Sequence, residues 1–362
     1  MANRIVKVGI IGCGGIANGK HMPSLSKLPN VELVAFCDIV IERAEAAKAK
    51  YGTPDAKVYE NYKDLLADET IEVVHVCTPN RSHSFITVDA LDAGKHVMCE
   101  KPMAINSVEA KKMLDAQKRS GKKLTIGYQS RQSMGAQYLK QEAMDGTFGD
   151  IYYAKATALR RRAVPTWGVF LNEYEQGGGP LIDIGNHALD LTLWMMDNYK
   201  PKYCIGSAYH KLNNDTHTGN AWGDWDPAKF TVEDSAFGLV TMKNGASIIV
   251  ETSWLINAIV DEGVRYSVCG TRAGLDNYGG KFKVNSVKHG KKILTTPDFA
   301  AGGVSFYNGA SMSPIDMEQR NFFDAIEGKA ELVNTPERAS VVTEILEAIL
   351  ISAETGKAVY FD

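Results

Sequence analysis

An aspartate and a histidine stand four residues apart in the apolar run GGGPLIDIGNHALDLTLWMM, which extends from residue 177 to residue 196. Side chains four apart on a helix are stacked neighbours, so Asp183 and His187 are expected on one face of a largely buried helix. An imidazole with an ordinary pKa of about 6.5 is a suitable proton acceptor at neutral pH, and a carboxylate beside it can orient it or bind a hydroxyl. The alternative is a buried Asp–His hydrogen bond without chemistry.

A glycine-rich stretch near the N-terminus points to a nucleotide. VGIIGCGGIANGKH contains Gly12-x-Gly14-x-x-Ala17 directly after a strand pattern. Such glycines permit a tight turn and a close backbone approach to a pyrophosphate at a helix N-terminus. Asp38 ends the next strand pattern, where its carboxylate would accept both ribose hydroxyls and repel a 2′-phosphate, so NAD is favoured over NADP. The predicted cofactor contacts in these motifs are Gly12, Gly14, Gly15, Ile16, Asp38 and Arg43. A Rossmann-like domain without nucleotide is the alternative.

Polar residues also follow the next two strand patterns, in CTPNRSH and CEKP. Ligands of open α/β sheets bind beyond the carboxyl ends of the strands, so these residues should line the cofactor crevice. The ammonium of Lys101 could hold a substrate hydroxyl oxygen and stabilise negative charge there. A salt bridge to a neighbouring carboxylate is the alternative for Lys101, and a purely structural place at a helix start is the alternative for His83. The predicted cofactor contacts at this edge are Thr78, Pro79, Asn80, His83, Glu100, Lys101 and Gln129.

Composition excludes several classes of protein. The 362 residues are 44% apolar and 23% charged, with a formal net charge of −3, which gives no case for nucleic acid or a membrane surface as partner. Arg160-Arg161-Arg162 is the one dense basic cluster and is interpreted as a local anion or interface feature. Six scattered cysteines without a C-x-x-C pair, and no signal peptide pattern, predict a cytoplasmic protein. Asp183, His187 and His217 could in principle bind a metal, but no third ligand stands at short spacing, so no metal is predicted.

The order of elements predicts two domains. In residues 1–127, short β-branched strands alternate with amphipathic helices, including one capped by Ser107 and ended by Gly121, as in a doubly wound parallel sheet. Residues 128–362 show longer strands, an Asn-Gly hairpin at Lys243–Gly245 and late helices, as in an α+β domain with an open mixed or antiparallel sheet. The fold class is therefore α/β with a second α+β domain.

The glycine motif, Glu100-Lys101-Pro102 and GGGPLIDIGNHALDL together resemble the glucose–fructose oxidoreductase/inositol dehydrogenase/MocA (Gfo/Idh/MocA) family over essentially the whole chain. The resemblance implies an NAD(P)-binding Rossmann domain and a second domain that supplies the substrate face and the oligomer contacts. Lys101 matches the family's catalytic lysine, and Asp183 and His187 match its Asp…His pair. We expect His187 to be the general base, Lys101 the electrostatic partner and Asp183 the orienting residue.

A narrower resemblance concerns ALRRRAVPTWGVFLNEYEQGGGPLIDIG, WDPAKFTVEDSAFG and NGASIIVETSW. These stretches are similar to the branch that oxidises the 3-hydroxyl of glucosides, including C-glycosides. The resemblance implies an NAD-dependent sugar dehydrogenase that acts on a small sugar or glycoside. The long apolar strands of the second domain predict a homo-oligomer, a tetramer or larger. An inositol or cyclic-polyol dehydrogenase, a cofactor-retaining sugar–keto-sugar oxidoreductase, an NAD-assisted glycosidase and a non-catalytic sensor are the alternatives.

Asp190 is expected to support the site and Trp194 to lie in the core. Besides the catalytic three, the candidate substrate contacts are Tyr128, Arg160, Trp167 and Trp222, with Gln129, Arg131 and Trp225 as further candidates.

Overall fold

The structure is a computed structural model that describes residues 4–215, 219–259, 261–299 and 312–361. The chain forms two compact units. The first contains residues 1–132 and 310–340, and the second contains residues 133–309 and 341–362.

Six parallel strands form the sheet of the first unit, in the order β3-β2-β1-β4-β5-β6. They are β1 (Val6–Ile11), β2 (Val31–Cys37), β3 (Lys57–Tyr59), β4 (Val73–Val76), β5 (His96–Cys99) and β6 (Leu124–Ile126). In this order β1 lies near the centre, with β2 and β3 on one side and β4, β5 and β6 on the other. This is the order of a dinucleotide-binding sheet. The predicted Rossmann architecture is therefore confirmed.

Helices flank this sheet because its strands are apolar on both faces: all four residues of β4, for example, are buried. The helices are α1 (Met22–Leu25), preceded by a π turn at Ala17–His21, α2 (Ile41–Tyr51), α3 (Tyr62–Leu66), α4 (Asn80–Asp92), α5 (Ser107–Ser120) and α9 (Pro314–Ile326). Helix α5 corrects one detail of the sequence analysis. Its cap is the Asn106 side chain, which accepts from the Glu109 N–H, and Ser107 is the first helical residue. Gly121 ends the helix at φ 66°, as predicted.

Nine strands form the sheet of the second unit, in the order β14-β13-β12-β11-β7-β10-β9-β8-β15. They are β7 (Ile151–Leu159), β8 (Pro201–Tyr209), β9 (Ser235–Met242), β10 (Ser247–Ser253), β11 (Glu262–Gly270), β12 (Ala273–Asp276), β13 (Lys283–Lys288), β14 (Lys291–Thr295) and β15 (Val359–Tyr360). Only the β7–β10 pair is parallel among the described strand pairs of this sheet, so the predicted open mixed sheet is confirmed.

The predicted hairpin is also present. Strands β9 and β10 are joined through Asn244-Gly245, where Gly245 has φ 90° and the Met242 N–H donates to the Ala246 carbonyl at 2.8 Å. Helices accompany this sheet, namely α6 (Met134–Met144), α7 (Glu173–Gln176), α8 (Asn186–Met196) and the larger part of α10 (Pro336–Thr355).

The boundary between the units differs from the predicted one. It lies after Gln132 rather than after residue 127, and residues 310–340 belong to the first unit. The cause is helix α9, whose Asp316 accepts from the Ser24 hydroxyl at 2.7 Å and from Lys27 at 2.8 Å. A partner almost 300 residues away cannot be seen in a local pattern, so this return of the chain was missed.

No described helix is both long enough and apolar enough to cross a membrane. All six cysteines are free thiols, and five of them are buried. They behave as small apolar side chains, as expected from their positions in apolar strands.

Candidate active site

The glycine loop follows β1 and has the shape of a phosphate cradle. Gly12 has φ 89°, and a Cβ there would lie 2.7 Å from the Cys77 carbonyl oxygen, so only glycine fits. Gly14 and Gly15 differ, because a Cβ on either would meet no protein atom within 4 Å. Ala17 is fully buried where the helix packs on the sheet. The space beside Gly14 and Gly15 is therefore open, and a pyrophosphate at the start of this helix would fit there.

Asp38 stands at the end of β2 and braces this loop. Its Oδ2 accepts from the Cys13 N–H at 2.9 Å, and its Oδ1 accepts from the Val40 N–H at 2.9 Å. Each carboxylate oxygen keeps a second lone pair, so the group fits the ribose hydroxyls of a dinucleotide. The guanidinium of Arg43 lies 4.0 Å from Oδ1 and is largely exposed. These residues fit NAD and would hold its adenosine half.

His83 occupies a structural position. Its Nδ1 lies 2.7 Å from the Pro102 carbonyl oxygen and its Nε2 lies 2.8 Å from the Thr78 carbonyl oxygen, and the ring is buried. Burial lowers the pKa of this imidazole. The ring thus ties the turn after β4 to the turn after β5, which supports the structural alternative stated above. Thr78 also accepts from the Ser82 hydroxyl at 2.7 Å, and Asn80 is buried at the start of α4.

Glu100 is the centre of a buried charged network that the sequence analysis missed. Its Oε1 lies 2.6 Å from Nζ of Lys20 and 2.7 Å from Nε2 of His21. Burial alone raises the pKa of Glu100, but the charge of Lys20 and the hydrogen bond from His21 outweigh it and hold the pKa well below its ordinary value. The Lys20 ammonium lies also 3.2 Å from Oε2 of Glu318. Burial raises the pKa of Glu318 to about 7.

The histidines of this network form a chain. Nδ1 of His21 lies 2.8 Å from Nδ1 of His75, and burial lowers the pKa of both rings. With neutral rings, the hydrogen bonds are satisfied when His75 donates to His21 and His21 donates to Glu100 (a tautomer assignment made from the network). Lys20 and His21 lie in the helix that follows the glycine loop, so charges on that helix fix the carboxylate beside Lys101.

The network also contacts two predicted site residues. The Lys101 N–H donates to Oε2 of Glu100 at 3.2 Å, and Oε1 of Gln129 accepts from Lys20 at 3.1 Å. Oε1 of Glu100 is therefore held by Lys20 and His21, and its Oε2 accepts from the Lys101 N–H. Lys101 is partly exposed, and its peptide bond to Pro102 is cis.

In the second unit, the helix that carries Asp183 and His187 is buried except at these two residues. It begins with a π turn at Leu181–Gly185 and continues as α8. From residue 178 to residue 196 every side chain is buried except those of Asp183 and His187, which are partly exposed. Such π turns are frequent at functional sites. Asp190 and Trp194 are buried, as expected for supporting and core residues.

Trp254 is a second residue that sequence reasoning missed. Its indole Nε1 donates to Oδ2 of Asp183 at 3.3 Å, and its side chain is fully buried. It follows β10 directly, so the rule that polar groups gather beyond strand ends could have identified it. The indole fixes the direction of the Asp183 carboxylate.

Three predicted substrate contacts of this unit lie together. The rings of Trp167 and Trp222 meet edge to face with centroids 5.0 Å apart, and the Arg160 guanidinium lies 5.5 Å from the Trp222 centroid. Trp167 is 52% exposed and Trp222 is 43% exposed. Backbone pairing connects this group to the hydrogen-bond partner of Asp183, since the Arg160 N–H donates to the carbonyl of Ser253, the residue before Trp254.

The remaining candidates have structural surroundings. Tyr128 is 1% exposed within the core of the first unit, and Arg131 is fully buried with Nη1 donating to the Val333 carbonyl at 2.9 Å. Trp225 is buried and donates to the Asn213 carbonyl at 2.6 Å. Burial of these side chains leaves little surface for a substrate. His217 lies outside the described residues.

The three arginines of the cluster at residues 160–162 have different surroundings. Arg162 donates to the Asn257 side chain, while Arg160 lies over Trp222 and Arg161 is exposed. The three guanidinium groups therefore do not share one anion site.

Comparison with known proteins agrees with this geometry. A family model described as an oxidoreductase family with an NAD-binding Rossmann fold matches residues 6–128. Together with the glycine loop and Asp38, it defines the class: an NAD-binding oxidoreductase with a Rossmann domain. A second model, the GFO/IDH/MocA C-terminal domain, matches residues 136–276. The chain belongs to the Gfo/Idh/MocA family.

Individual relatives point to sugars and polyols. The chain is 33% identical to D-glucoside 3-dehydrogenase of Escherichia coli (strain K12), with 99% of this chain and 98% of that protein aligned. It is 33% identical to inositol 2-dehydrogenase of Salmonella paratyphi B over 54% of this chain and 56% of that protein. The structure of aldose-aldose oxidoreductase from Caulobacter crescentus, complexed with glycerol, shares the fold with a TM-score of 0.80, at 23% identity, covering 99% of this chain and 100% of that chain.

Proposed function

We propose that this enzyme oxidises a secondary hydroxyl of a glucoside, at carbon 3 of the sugar, to the 3-keto sugar with NAD. The observation that carries the proposal is the exposure of Asp183 and His187 alone on an otherwise buried helix. A buried helix has no structural need for two partly exposed polar groups at one place, whereas a proton acceptor and its orienting carboxylate need access to a substrate. The full-length similarity to D-glucoside 3-dehydrogenase supports the choice of substrate and of carbon.

The residues then take complementary roles. NAD, when bound at the glycine loop and Asp38, supplies the hydride acceptor. His187 removes the proton from the reacting hydroxyl, and Asp183, oriented by Trp254, orients the imidazole or binds the adjacent hydroxyl. The Lys101 ammonium holds the reacting oxygen and stabilises the charge that develops on it.

The aromatic group around Trp222 is the proposed substrate platform. Trp167 and Trp222 offer exposed ring surface for the C–H face of a sugar or for its substituent, and Arg160 supplies donors beside them. The parallel strands β7 and β10 end side by side, so this platform and the Asp183 partner Trp254 share one edge of the sheet.

An inositol or cyclic-polyol dehydrogenase is the alternative that the similarity to inositol 2-dehydrogenase favours. A cofactor-retaining sugar–keto-sugar oxidoreductase and an NAD-assisted glycosidase use the same groups and are separated by their products. One experiment distinguishes all of them. Purified protein is incubated without and with added NAD, with O- and C-glucosides, inositols and a 3-keto-glucose acceptor, while NADH absorbance and product masses are followed.

NADH formation with loss of two hydrogens from glucosides supports the proposal, and oxidation of inositols only supports the polyol alternative. A two-hydrogen loss that requires the keto sugar and releases no NADH indicates the cofactor-retaining enzyme, and free sugar indicates the glycosidase. The K101M variant should lose the reaction, whereas K111M, at an exposed lysine, should keep it. Oxidation of no substrate would contradict the proposal.

We also propose that a second copy of the chain covers the open face of the nine-stranded sheet, giving a homo-oligomer in the cytoplasm. Strands β8 and β9 place apolar side chains in register there: Ile205 is opposite Leu239, and the rings of Tyr209 and Phe237 lie 6.1 Å apart. Ile205 is 47% exposed, and a row of this kind is self-complementary across a two-fold axis. Light scattering of the wild type and of I205K tests this: a tetramer or larger is expected for the wild type and smaller species for the variant.

A further inference from the structure

The helix that presents Asp183 and His187 begins without a capping side chain of its own. The residue before its π turn is Pro180, which makes no side-chain hydrogen bond to the turn. The first N–H groups of a helix need acceptors, and they are expensive to leave unpaired in a buried place.

Glu233 supplies these acceptors from 54 residues away. Its Oε2 accepts from the Gly179 N–H at 2.7 Å, and its Oε1 accepts from the Leu181 N–H at 3.1 Å. The side chain is 4% exposed. A carboxylate at this end also compensates the positive end of the helix dipole.

The glycines before the helix have a specific reason in this contact. A Cβ on Gly179 would overlap the Glu233 carbonyl oxygen, and a Cβ on Gly178 would lie 2.7 Å from Ile182 and 3.4 Å from Oε2 of Glu233. Only glycine at position 179 lets the backbone of Glu233 approach so closely. Gly179 in the GGG motif and Glu233 in the VED motif therefore form one contact.

The next residue of the same segment fixes the other partner of Asp183. The carbonyl of Asp234 accepts from the Trp254 N–H at 3.0 Å, and the Trp254 indole donates to Asp183 at 3.3 Å. The Asp234 carboxylate is itself held by the Leu212 N–H at 2.7 Å. Residues 233 and 234 thus connect the start of the helix with the indole that orients its carboxylate.

We propose that Glu233 is a positioning residue: its carboxylate fixes the first turn of the helix so that Asp183 and His187 are presented together to the substrate. This role rests on the proposed function of those two residues. Glu233 is buried beneath the helix start and takes no part in the reaction itself.

The protonation of Glu233 makes the expected effect of a substitution depend on pH. A purely structural residue would not give such a pH dependence. Burial, with a smaller contribution from the carboxylate of Glu173 on α7, raises the pKa of Glu233 to about 7, against the two N–H donors. The ionised carboxylate, present at pH 8, accepts both N–H groups best. E233Q imitates the protonated form, because its amide presents an N–H₂ group to one of the two donors.

The test compares E233Q with the wild type and with E251Q, a glutamate of the same unit that pairs with Lys155 at 2.6 Å. We expect kcat of E233Q to fall about 10- to 100-fold at pH 8 and less at pH 6, with the NADH dissociation constant within twofold of the wild type. Hydrogen–deuterium exchange of peptides covering residues 179–187 should become faster in E233Q and stay unchanged in E251Q.

Unchanged exchange, or a kcat ratio that does not depend on pH, would overturn the proposal. If E233Q is not recovered folded, E233D tests the same point, because its shorter carboxylate cannot reach both N–H groups; unchanged kcat and exchange in E233D would overturn it as well. Failure of the proposed function is recognised separately: the wild type then oxidises no polyol, while the exchange experiment still decides whether Glu233 holds the helix.

Discussion

Glu100 and Glu233 are both buried glutamates next to proposed catalytic residues, yet their pKa values move in opposite directions. Burial raises both, but around Glu100 a lysine and a histidine outweigh it, whereas around Glu233 two backbone N–H groups do not. The first unit thus fixes the Lys101 segment with full charges. In the second unit, the carboxylates of Glu233 and Asp183 are held by neutral donors, namely the N–H groups of Gly179 and Leu181 and the Trp254 indole.

This difference corresponds to the chemistry proposed for each unit. The Glu100 carboxylate and the Lys20 ammonium stay charged through neutral pH, which suits the proposed task of holding a lysine and a charged cofactor in place. In the second unit, where His187 is proposed to accept a proton, neutral donors make the described contacts: backbone N–H groups at the helix start and the Trp254 indole at Asp183. Four predictions test the comparison, in order of decreasing expected effect.

The first prediction separates proton transfer from cofactor binding. H187Q should lower kcat by about 10²- to 10⁴-fold, the usual contribution of a general base, and leave NADH affinity unchanged because the glycine loop and Asp38 belong to the other unit. Steady-state kinetics and NADH fluorescence titration measure both quantities. H210Q, at an exposed histidine of the same unit, is the control and should retain full activity. A fall in NADH affinity equal to the fall in kcat would contradict this division of tasks.

The second prediction breaks the charged network. K20M leaves Glu100 and Glu318 buried without their ammonium, so the free energy of unfolding should fall by about 3–5 kcal/mol. K27M removes a largely exposed partner of Asp316 and should cost at most about 1 kcal/mol. Calorimetry of the first unfolding transition measures both.

A double variant sharpens this result. Adding E318Q to K20M removes one of the two uncompensated carboxylates and should recover part of the loss. If K20M and K27M lose equal stability, or if E318Q recovers nothing, the network does not depend on charge compensation.

The parts of this protein that could be predicted from sequence depend on neighbours along the chain. The glycine loop, the Asn244-Gly245 hairpin and the Gly121 helix end each require only a few adjacent residues, and all three are present. The missed contacts join distant segments: Lys20 with Glu318, and Gly179 with Glu233. The residues next to Lys20 and Glu233 in the sequence do not indicate such a distant partner.

Contacts with distant segments also explain why some of the predicted substrate residues are exposed and others are buried. Trp167 and Trp222 are candidates because of their place in or near the motifs, and the structure brings them together on the surface. Tyr128 and Trp225 were chosen on the same grounds, yet they are buried. An aromatic ring serves a core as well as a binding surface, and only packing against remote strands decides between them.

The third prediction concerns the neutral donors of the second unit. W254F keeps most of the ring volume and removes the N–H that Asp183 accepts, so kcat should fall about fivefold, corresponding to a net hydrogen bond of about 1 kcal/mol. W225F is the matched control, since it removes a buried indole N–H that donates to the Asn213 carbonyl. Equal losses of kcat in the two variants would show that packing, and not the orientation of Asp183, is responsible.

The fourth prediction uses pH to compare the two glutamates directly. Because the folded-state pKa of Glu233 is raised from 4.5 to about 7, its contribution to stability is complete below pH 4.5 and is lost as the pH rises through 7. Glu100 has a lowered pKa, so its contribution is present above pH 4.5 and is lost only at more acidic pH. Urea unfolding between pH 5 and pH 8 should show the loss assigned to Glu233 and Glu318, whose pKa is also raised to about 7.

One proton changes the free energy of unfolding by at most about 1.4 kcal/mol per pH unit, so each glutamate gives a small slope. E233Q should remove the slope that belongs to Glu233 and leave that of Glu318, and E251Q should leave the wild-type slope intact. If the slope of E233Q equals that of the wild type, Glu233 is ionised throughout this range. The two backbone N–H groups would then hold a buried carboxylate as effectively as Lys20 and His21 hold Glu100, and the contrast between the two regions would disappear.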